Sequence, residues 1–225
     1  MRLKQIKTIS VIIACFLPQF IFSQIRFSLA TDISLERSFK KDQRFWAFGQ
    51  NVILNWHLTQ KNGLYASLCY YSNGNFKNSL SASAKSSSTS PQDIFFVNRA
   101  QLRLIQISFG WKYYVVGTND AESKWNLYTI SGFGLIFGQA SNIYSLSVDT
   151  SLYNLPQQPV NGAGHFKRLT IDLGLGWEIP IGGDLYFYSE AKMWIPTTDY
   201  PSKYLFINNN APLVGTVSAG LRISF

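Results

Sequence analysis

The chain has 225 residues, of which 46% are hydrophobic, 16% aromatic and only 14% charged. An average soluble domain carries about 25% charged residues, so the composition argues against a disordered chain, a coiled coil or a typical cytosolic protein. Lys and Arg outnumber Asp and Glu by 20 to 12, and beyond residue 24 no window holds the ~18 consecutive apolar residues of a membrane-spanning helix.

Arg2, Lys4 and Lys7 precede a nearly unbroken apolar stretch from Ile9 to Phe22, and Ser23 supplies a small residue before Gln24. This pattern predicts a secretory signal peptide over residues 1–23 and a mature domain over residues 24–225. The box Ile12-Ile13-Ala14-Cys15 has too short an apolar lead to act as a lipoprotein signal. Processing removes three cations and Cys15, which leaves 17 Lys and Arg, a net charge of +5, and Cys69 as a lone cysteine. The basic balance is then partly a property of the leader and gives no ground for a nucleic-acid partner. An exported chain with one cysteine has no internal disulfide.

From Gln24 onward the apolar residues alternate with period 2, the mark of strands with two chemically different faces. Eight stretches show it in chain order: Ile25 to Leu35, Trp46 to Leu58, Leu64 to Tyr71, Ile105 to Val116, Trp125 to Gly138, Leu169 to Ile179, Leu185 to Ile195, and the closing run Val217 to Phe225. The sixth is the clearest, with Leu169, Ile171, Leu173, Leu175, Trp177 and Ile179 set against Arg168, Thr170, Asp172, Gly174, Gly176 and Glu178. The fifth is the least regular, because Thr129 and Ser131 share a face with Leu127 and Phe133.

Charge placement decides what each face meets. None of the apolar faces carries a charge, and Arg26, Asp32, Lys112, Arg168, Asp172, Glu178, Glu190, Lys192 and Arg222 all fall on the opposite faces, among Gly110, Gly174, Gly176 and Gly220. A soluble barrel would place its charges on the wall facing water. An apolar exterior around a narrow polar interior belongs to a transmembrane β-barrel, whose closure satisfies every backbone N–H and C=O in lipid. The connectors agree: short ones at Thr59 to Gly63, Gly117 to Lys124 and Pro180 to Asp184 alternate with longer ones at Glu36 to Phe45, Ser72 to Leu104, Gln139 to Lys167 and Pro196 to Pro212. Trp56, Trp111, Trp125 and Trp177 stand at short-turn ends and Trp46 and Trp194 at long-loop ends, as interfacial aromatic girdles require, although Trp194 has inward parity.

Over Gln24 to Phe225 the chain resembles the small outer-membrane barrels of Gram-negative bacteria, of the OmpA/OmpX-like and PorT-like kind. The most specific element is the ending Val217-Ser-Ala-Gly-Leu-Arg-Ile-Ser-Phe225, whose Leu221, Ile223 and Phe225 look like the C-terminal signal read by the barrel-assembly machinery. The resemblance implies an all-β, eight-stranded antiparallel up-and-down barrel with short periplasmic turns, long extracellular loops and a place in the outer membrane. A ten-stranded barrel stays open at this point, because Ser72 to Leu104 or Gln139 to Lys167 has room for another hairpin. Asn98 to Leu104 looks strand-like with a parity that shifts before Ile105, which suggests a bulge or an extension above the membrane.

An eight-stranded barrel has an interior just wide enough for side chains, so the inward charges are expected to pair and plug the lumen, the alternative being a gated ion or proton path. A tight turn placing Asp184 opposite Pro180 would set Asp172 across from Lys192, with Glu190 and Arg222 on neighbouring strands. Nucleophilic catalysis has only His57 and His165 to draw on: His57 is expected inward and remote from a serine partner, and His165 in a long loop. Tyr70-Tyr71-Ser72-Asn73 is faintly similar to the His-x-Ser-Asn element of lipid A deacylases, with Tyr70 where the base should stand. No metal cluster, cofactor motif or phosphate loop is present in the sequence. The expected protein is therefore non-enzymatic, structural or partner-docking through its surface loops, with an accessory secretion component as the alternative and a lipid-modifying enzyme or narrow channel behind it. The expected partners are outer-membrane lipid and lipopolysaccharide, whose phosphates would meet an outer rim of Lys40, Lys41, Arg44, Arg99, Lys167 and Arg168. The Ser79 to Ser90 run, Asn208 to Asn210, and Tyr144, Tyr153, Tyr200 and Tyr204 mark the loops as candidate contact surfaces.

Overall fold

The computed structural model describes residues 26–39, 43–121, 124–155, 161–197 and 213–225. The leader expected over residues 1–23, together with Lys40, Lys41, Tyr200, Tyr204 and the Asn208 to Asn210 run, lies outside them. Nine strands form among the described residues: β1 (Arg26–Ser38), β2 (Trp46–His57), β3 (Asn62–Ala84), β4 (Asp93–Val116), β5 (Asn126–Tyr144), β6 (Tyr153–Asn154), β7 (Gly162–Gly182), β8 (Leu185–Pro196) and β9 (Val214–Ser224). All except the two-residue β6 form an antiparallel ring in which each strand pairs with its chain neighbours, and β9 closes on β1 from Ser28–Ser224 to Ser38–Val214. Closure removes the sheet edges that an open eight-stranded sheet would expose.

The alternation in the sequence becomes the wall of the barrel. On β4, Ile105, Ile107, Phe109, Trp111, Tyr113 and Val115 point outward and are exposed, whereas Gln106, Ser108, Lys112 and Tyr114 point inward and are buried. With about 3.3 Å per residue and a tilt near 40°, that outward run spans roughly 25 Å of height, the thickness of a lipid-facing band. Small residues leave room inside. The Tyr128 ring lies where a side chain on Gly176 would stand, and the Phe166 ring does the same at Gly138.

The strands are of two heights. β1, β2, β8 and β9 have 13, 12, 12 and 11 residues, whereas β3, β4, β5 and β7 have 23, 24, 19 and 21. The stretches expected as long loops, Ser72 to Leu104 and Gln139 to Lys167, are thus largely continuations of the barrel strands on one side and add none to the ring. This raised half has a core of its own, with Ala82, Phe96, Val148 and Tyr153 packed against Leu80, Ile94 and Tyr144.

The parity shift expected before Ile105 is a change of chemistry and not of direction. β4 alternates without interruption from Phe95 to Val115, so Leu102 and Leu104 point inward while Arg99 and Arg103 point outward. The bulge lies across the hairpin in β3, between Tyr71 and Gly74, where Asn73 adopts φ 63°. Asn is among the few residues that take this left-handed conformation readily.

Candidate functional site

The interior is layered. At the short-turn end, Glu178 on β7 accepts hydrogen bonds from Arg222 Nη2 at 2.8 Å and Nε at 3.1 Å, with Lys112 Nζ at 3.5 Å and the Asn126 amide at 3.1 Å. Arg222 also donates to the carbonyl of Asn119 at 3.0 Å and stacks over Tyr186 at 3.9 Å. The β4–β5 connection therefore folds inward: Asn119 is buried and tied through its own N–H to Gln60 O at 2.9 Å.

Above this triad, Lys192 pairs with Glu190, two residues away on β8, and Tyr128 donates to Glu190 at 3.1 Å. Asp32 accepts from Tyr188 at 2.7 Å and from Asn51 at 3.2 Å, while Asp172 accepts from Thr170 at 2.7 Å and Gln106 at 3.0 Å. The cavity left among Ala30, Tyr65, Lys112 and Glu190 has a volume of about 10 Å³, room for roughly one water. The next layer is apolar, with Phe45, Tyr71, Leu102, Leu104, Phe166 and Trp194 closing the long-loop end. Charged groups paired and packed in this way fill a bore; they do not line one.

Several sequence-predicted residues sit elsewhere than expected. Arg26 is outside the lumen network: its guanidinium is half exposed at the rim and pairs with Asp120 at 3.1 Å, because it begins β1 beneath the lowest inward layer. Asp172 faces Trp194, and Lys192 faces Gly174. The expected pair is displaced by two residues, because the turn runs through Gly182 and Gly183 to Leu185, with a bulge between Pro180 and Gly182. Arg168, inward by parity yet also expected at the outer rim, is buried in the lumen. Trp194 leaves the girdle altogether, being 1% exposed with its ring edge-on to Tyr71 at 5.5 Å. Trp46, Trp56, Trp111, Trp125 and Trp177 are exposed on the outer wall, as are Leu221, Ile223 and Phe225.

His57 is buried and does have a serine partner, its Nε2 lying 2.9 Å from Ser28 Oγ, to which Asn55 donates at 3.2 Å. The pair was missed because Ser28 lies 29 residues away along the chain. Ser28 has no exposure, and among the described residues His57 Nδ1 has no hydrogen-bond partner, so the serine is out of a substrate's reach and no described group orients the imidazole. His165 lies on the outer wall of β7, and Tyr70 of the Tyr-Tyr-Ser-Asn element is also outward. Among the described residues no group of three or more His, Cys, Asp and Glu could hold a metal ion. Sequence reading also missed Glu36, a fully buried carboxyl whose two oxygens have no hydrogen-bond partner among the described residues; only a longer first strand would have placed it inside.

The outer wall has a border. The first outward residue beyond the apolar band is Arg37 on β1, Arg44 ahead of β2, Arg103 on β4 and Lys167 on β7. Arg37 stacks over Trp46 at 4.4 Å, and Lys167 lies 5.8 Å from the Phe137 ring. Higher on the raised half, Lys77 faces Arg99 directly across the β3–β4 pair. In the β5–β6 connection, the hydroxyl and N–H of Ser151 hold the exposed Asp149 carboxyl below its usual range.

No protein-family model matches the chain, and no curated protein matches it. Among solved structures it is similar to Neisserial surface protein A, at 12% identity over 88% of this chain and 97% of that one, with a TM-score of 0.54. A major outer membrane protein from Thermus thermophilus matches at 10% identity over 90% of this chain and 100% of that one, TM-score 0.55. Ail, the attachment invasion locus protein of Yersinia pestis, solved in complex with the heparin analogue sucrose octasulfate, matches at 11% identity, 90% and 100% coverage and TM-score 0.50. At such identities the likeness is one of fold, and the fold is that of the small outer-membrane β-barrel.

Proposed function

We propose that the chain is an integral outer-membrane protein of a Gram-negative envelope, non-enzymatic, which presents its raised half to partners outside the cell. The observation that carries this reading is the combination of a filled lumen with strands of two heights. A barrel that conducted or catalysed would need an open bore or a reachable nucleophile, and Ser28, the hydroxyl held against the His57 ring, is fully buried. The extra residues of β3, β4, β5 and β7 carry a separate small core, more structure than anchoring in lipid requires.

In this orientation the short turns face the periplasm and the C-terminal strand, ending in Leu221, Ile223 and Phe225, supplies the edge captured during assembly. Arg37, Arg44, Arg103 and Lys167 stand level with the headgroups, where lipid phosphates, those of lipopolysaccharide included, neutralise them. Envelope fractionation with surface proteolysis tests the reading. The chain should sediment with outer membranes, migrate faster on gels before heating than after, and be cut in intact cells only within the raised half. Recovery in the soluble periplasmic fraction would refute it.

A further inference from the structure

Among the described residues the raised half has two strand edges without a partner strand, one on β3 and one on β7 above its pairing with β8, and the β3 edge is complementary to itself. β2 pairs with β3 only as far as Phe48–Ser72, and β6 covers β3 only at Ser83 and Ala84. Between them, among the described residues, β3 is paired on its β4 side alone. Ala84 N–H donates across the hairpin to Gln92 O at 2.7 Å, and Lys85 N–H donates the other way, to Leu152 O at 2.9 Å. Backbone groups in an antiparallel strand alternate sides, so the even-numbered residues here serve β4. Asn75, Lys77, Ser79 and Ser81 aim their N–H and C=O groups at the open side.

We infer that this edge pairs with the same edge of a second copy, antiparallel and centred on Asn78. A two-fold axis at Asn78 sets Lys77 opposite Ser79 of the other copy and Asn75 opposite Ser81. All four open-edge residues then exchange hydrogen bonds in pairs, about eight bonds in all. Lys77 meets a serine and not its own copy, so no like charges oppose one another. The window fits the axis: it is bounded below by the β3 bulge at Tyr71/Gly74 and above by β6 at Ser83. Its outward side chains, Asn75, Lys77, Ser79 and Ser81, are exposed, and it contains no proline to block the approach.

The geometry also fixes where the contact forms. Copies side by side in one membrane send their tilted β3 strands away from the same bilayer face, so an antiparallel pair joins copies that face each other from two membranes. Asn78 is eight residues beyond Tyr70, roughly 20 Å above the apolar band at a 40° tilt, which holds the two bands about 40 Å apart.

The setting rests on the outer-membrane reading, whereas the pairing does not, and two arms keep them apart. In detergent micelles, protein carrying Lys77→Cys is mixed with protein carrying Ser79→Cys and oxidised; Cys69 is buried and does not compete. The expected result is a cross-linked dimer for this pair and at least a tenfold lower yield for Ser81→Cys with itself; equal yields would overturn the pairing. In the second arm, phosphatidylethanolamine–phosphatidylglycerol vesicles bearing the full mature chain should cluster. Ser79→Pro, which removes an N–H that β4 does not use, should abolish clustering while keeping the heat-dependent gel shift of a folded barrel. A folded Ser79→Pro protein that clusters vesicles as the parent does would also overturn the pairing. Cross-linking in micelles without clustering of vesicles would overturn the facing-membrane arrangement alone.

Discussion

Arg222 and Glu178 meet through two hydrogen bonds, at 2.8 and 3.1 Å, with neither side chain exposed to solvent. Lys112 completes the cluster at 3.5 Å. Glu178→Ala should cost about 3–5 kcal/mol, because it strands two buried cations, whereas the triple replacement Lys112→Met, Glu178→Leu and Arg222→Met should be neutral or stabilising by about 1–4 kcal/mol. Urea unfolding in detergent, followed by tryptophan fluorescence, measures both. A triple variant as unstable as the single one would show that the cluster contributes more than paired burial.

Glu36 is the contrasting case. Among the described residues its buried carboxyl has no hydrogen-bond partner for either oxygen, so exchanging it for an amide of the same shape removes none of the ion pairs described above. Glu36→Gln should leave the stability unchanged or raise it, while Glu178→Gln lowers it by about 1.5–3 kcal/mol of charge-assisted hydrogen bonding. A loss at Glu36 as large as that at Glu178 would reveal a partner for the carboxylate.

At the seam between β9 and β1, a Cβ added to Gly220 would run into the Thr31 carbonyl and the Asp32 backbone, and backbone cannot step aside as a flexible side chain does. Gly220→Ala should destabilise by about 1–3 kcal/mol. Gly182→Ala, with nothing within 4 Å of the new carbon, should stay within about 0.5 kcal/mol of the parent. The same urea titration separates them.

The filled interior makes a prediction for electrophysiology. In planar bilayers the protein should show no sustained discrete openings. Trp194→Ala should be as silent, because the triad around Glu178 and the inward Asn119 turn still close the opposite end. Sustained unitary currents from the parent chain would contradict the packing of the lumen.

The eight ring strands, their pairing order and the inward or outward direction of most strand residues were legible in the sequence, because lipid and a narrow lumen impose opposite chemistries on alternate positions, although the same pattern left room for a further hairpin. What escaped was whatever depends on register or on a face that changes character. Asp172 and Lys192 were two residues out of register, since the turn at Gly183 and Asp184 closes later than a turn setting Asp184 opposite Pro180 would. Leu102 and Leu104 resembled a slipped strand because the inner wall turns from polar to apolar at that height, and alternation alone cannot tell a reversed strand from a reversed environment. Ser28 and His57 come together only through the pairing of β1 with β2. Serine-rich segments such as Ser79 to Ser90 carry the composition of loops, yet Ser79 to Ala84 is strand, held by cross-strand partners on β4.

The unequal strand heights give the molecule a front and a back. Seen from its long-strand end, the rim is a tall palisade over β3, β4, β5 and β7 and a low sill over β1, β2, β8 and β9. A neighbour gliding along the bilayer therefore meets a wall or an open approach according to the barrel's rotation about its own axis, so encounters that begin within the membrane plane are directional before any side chain is touched.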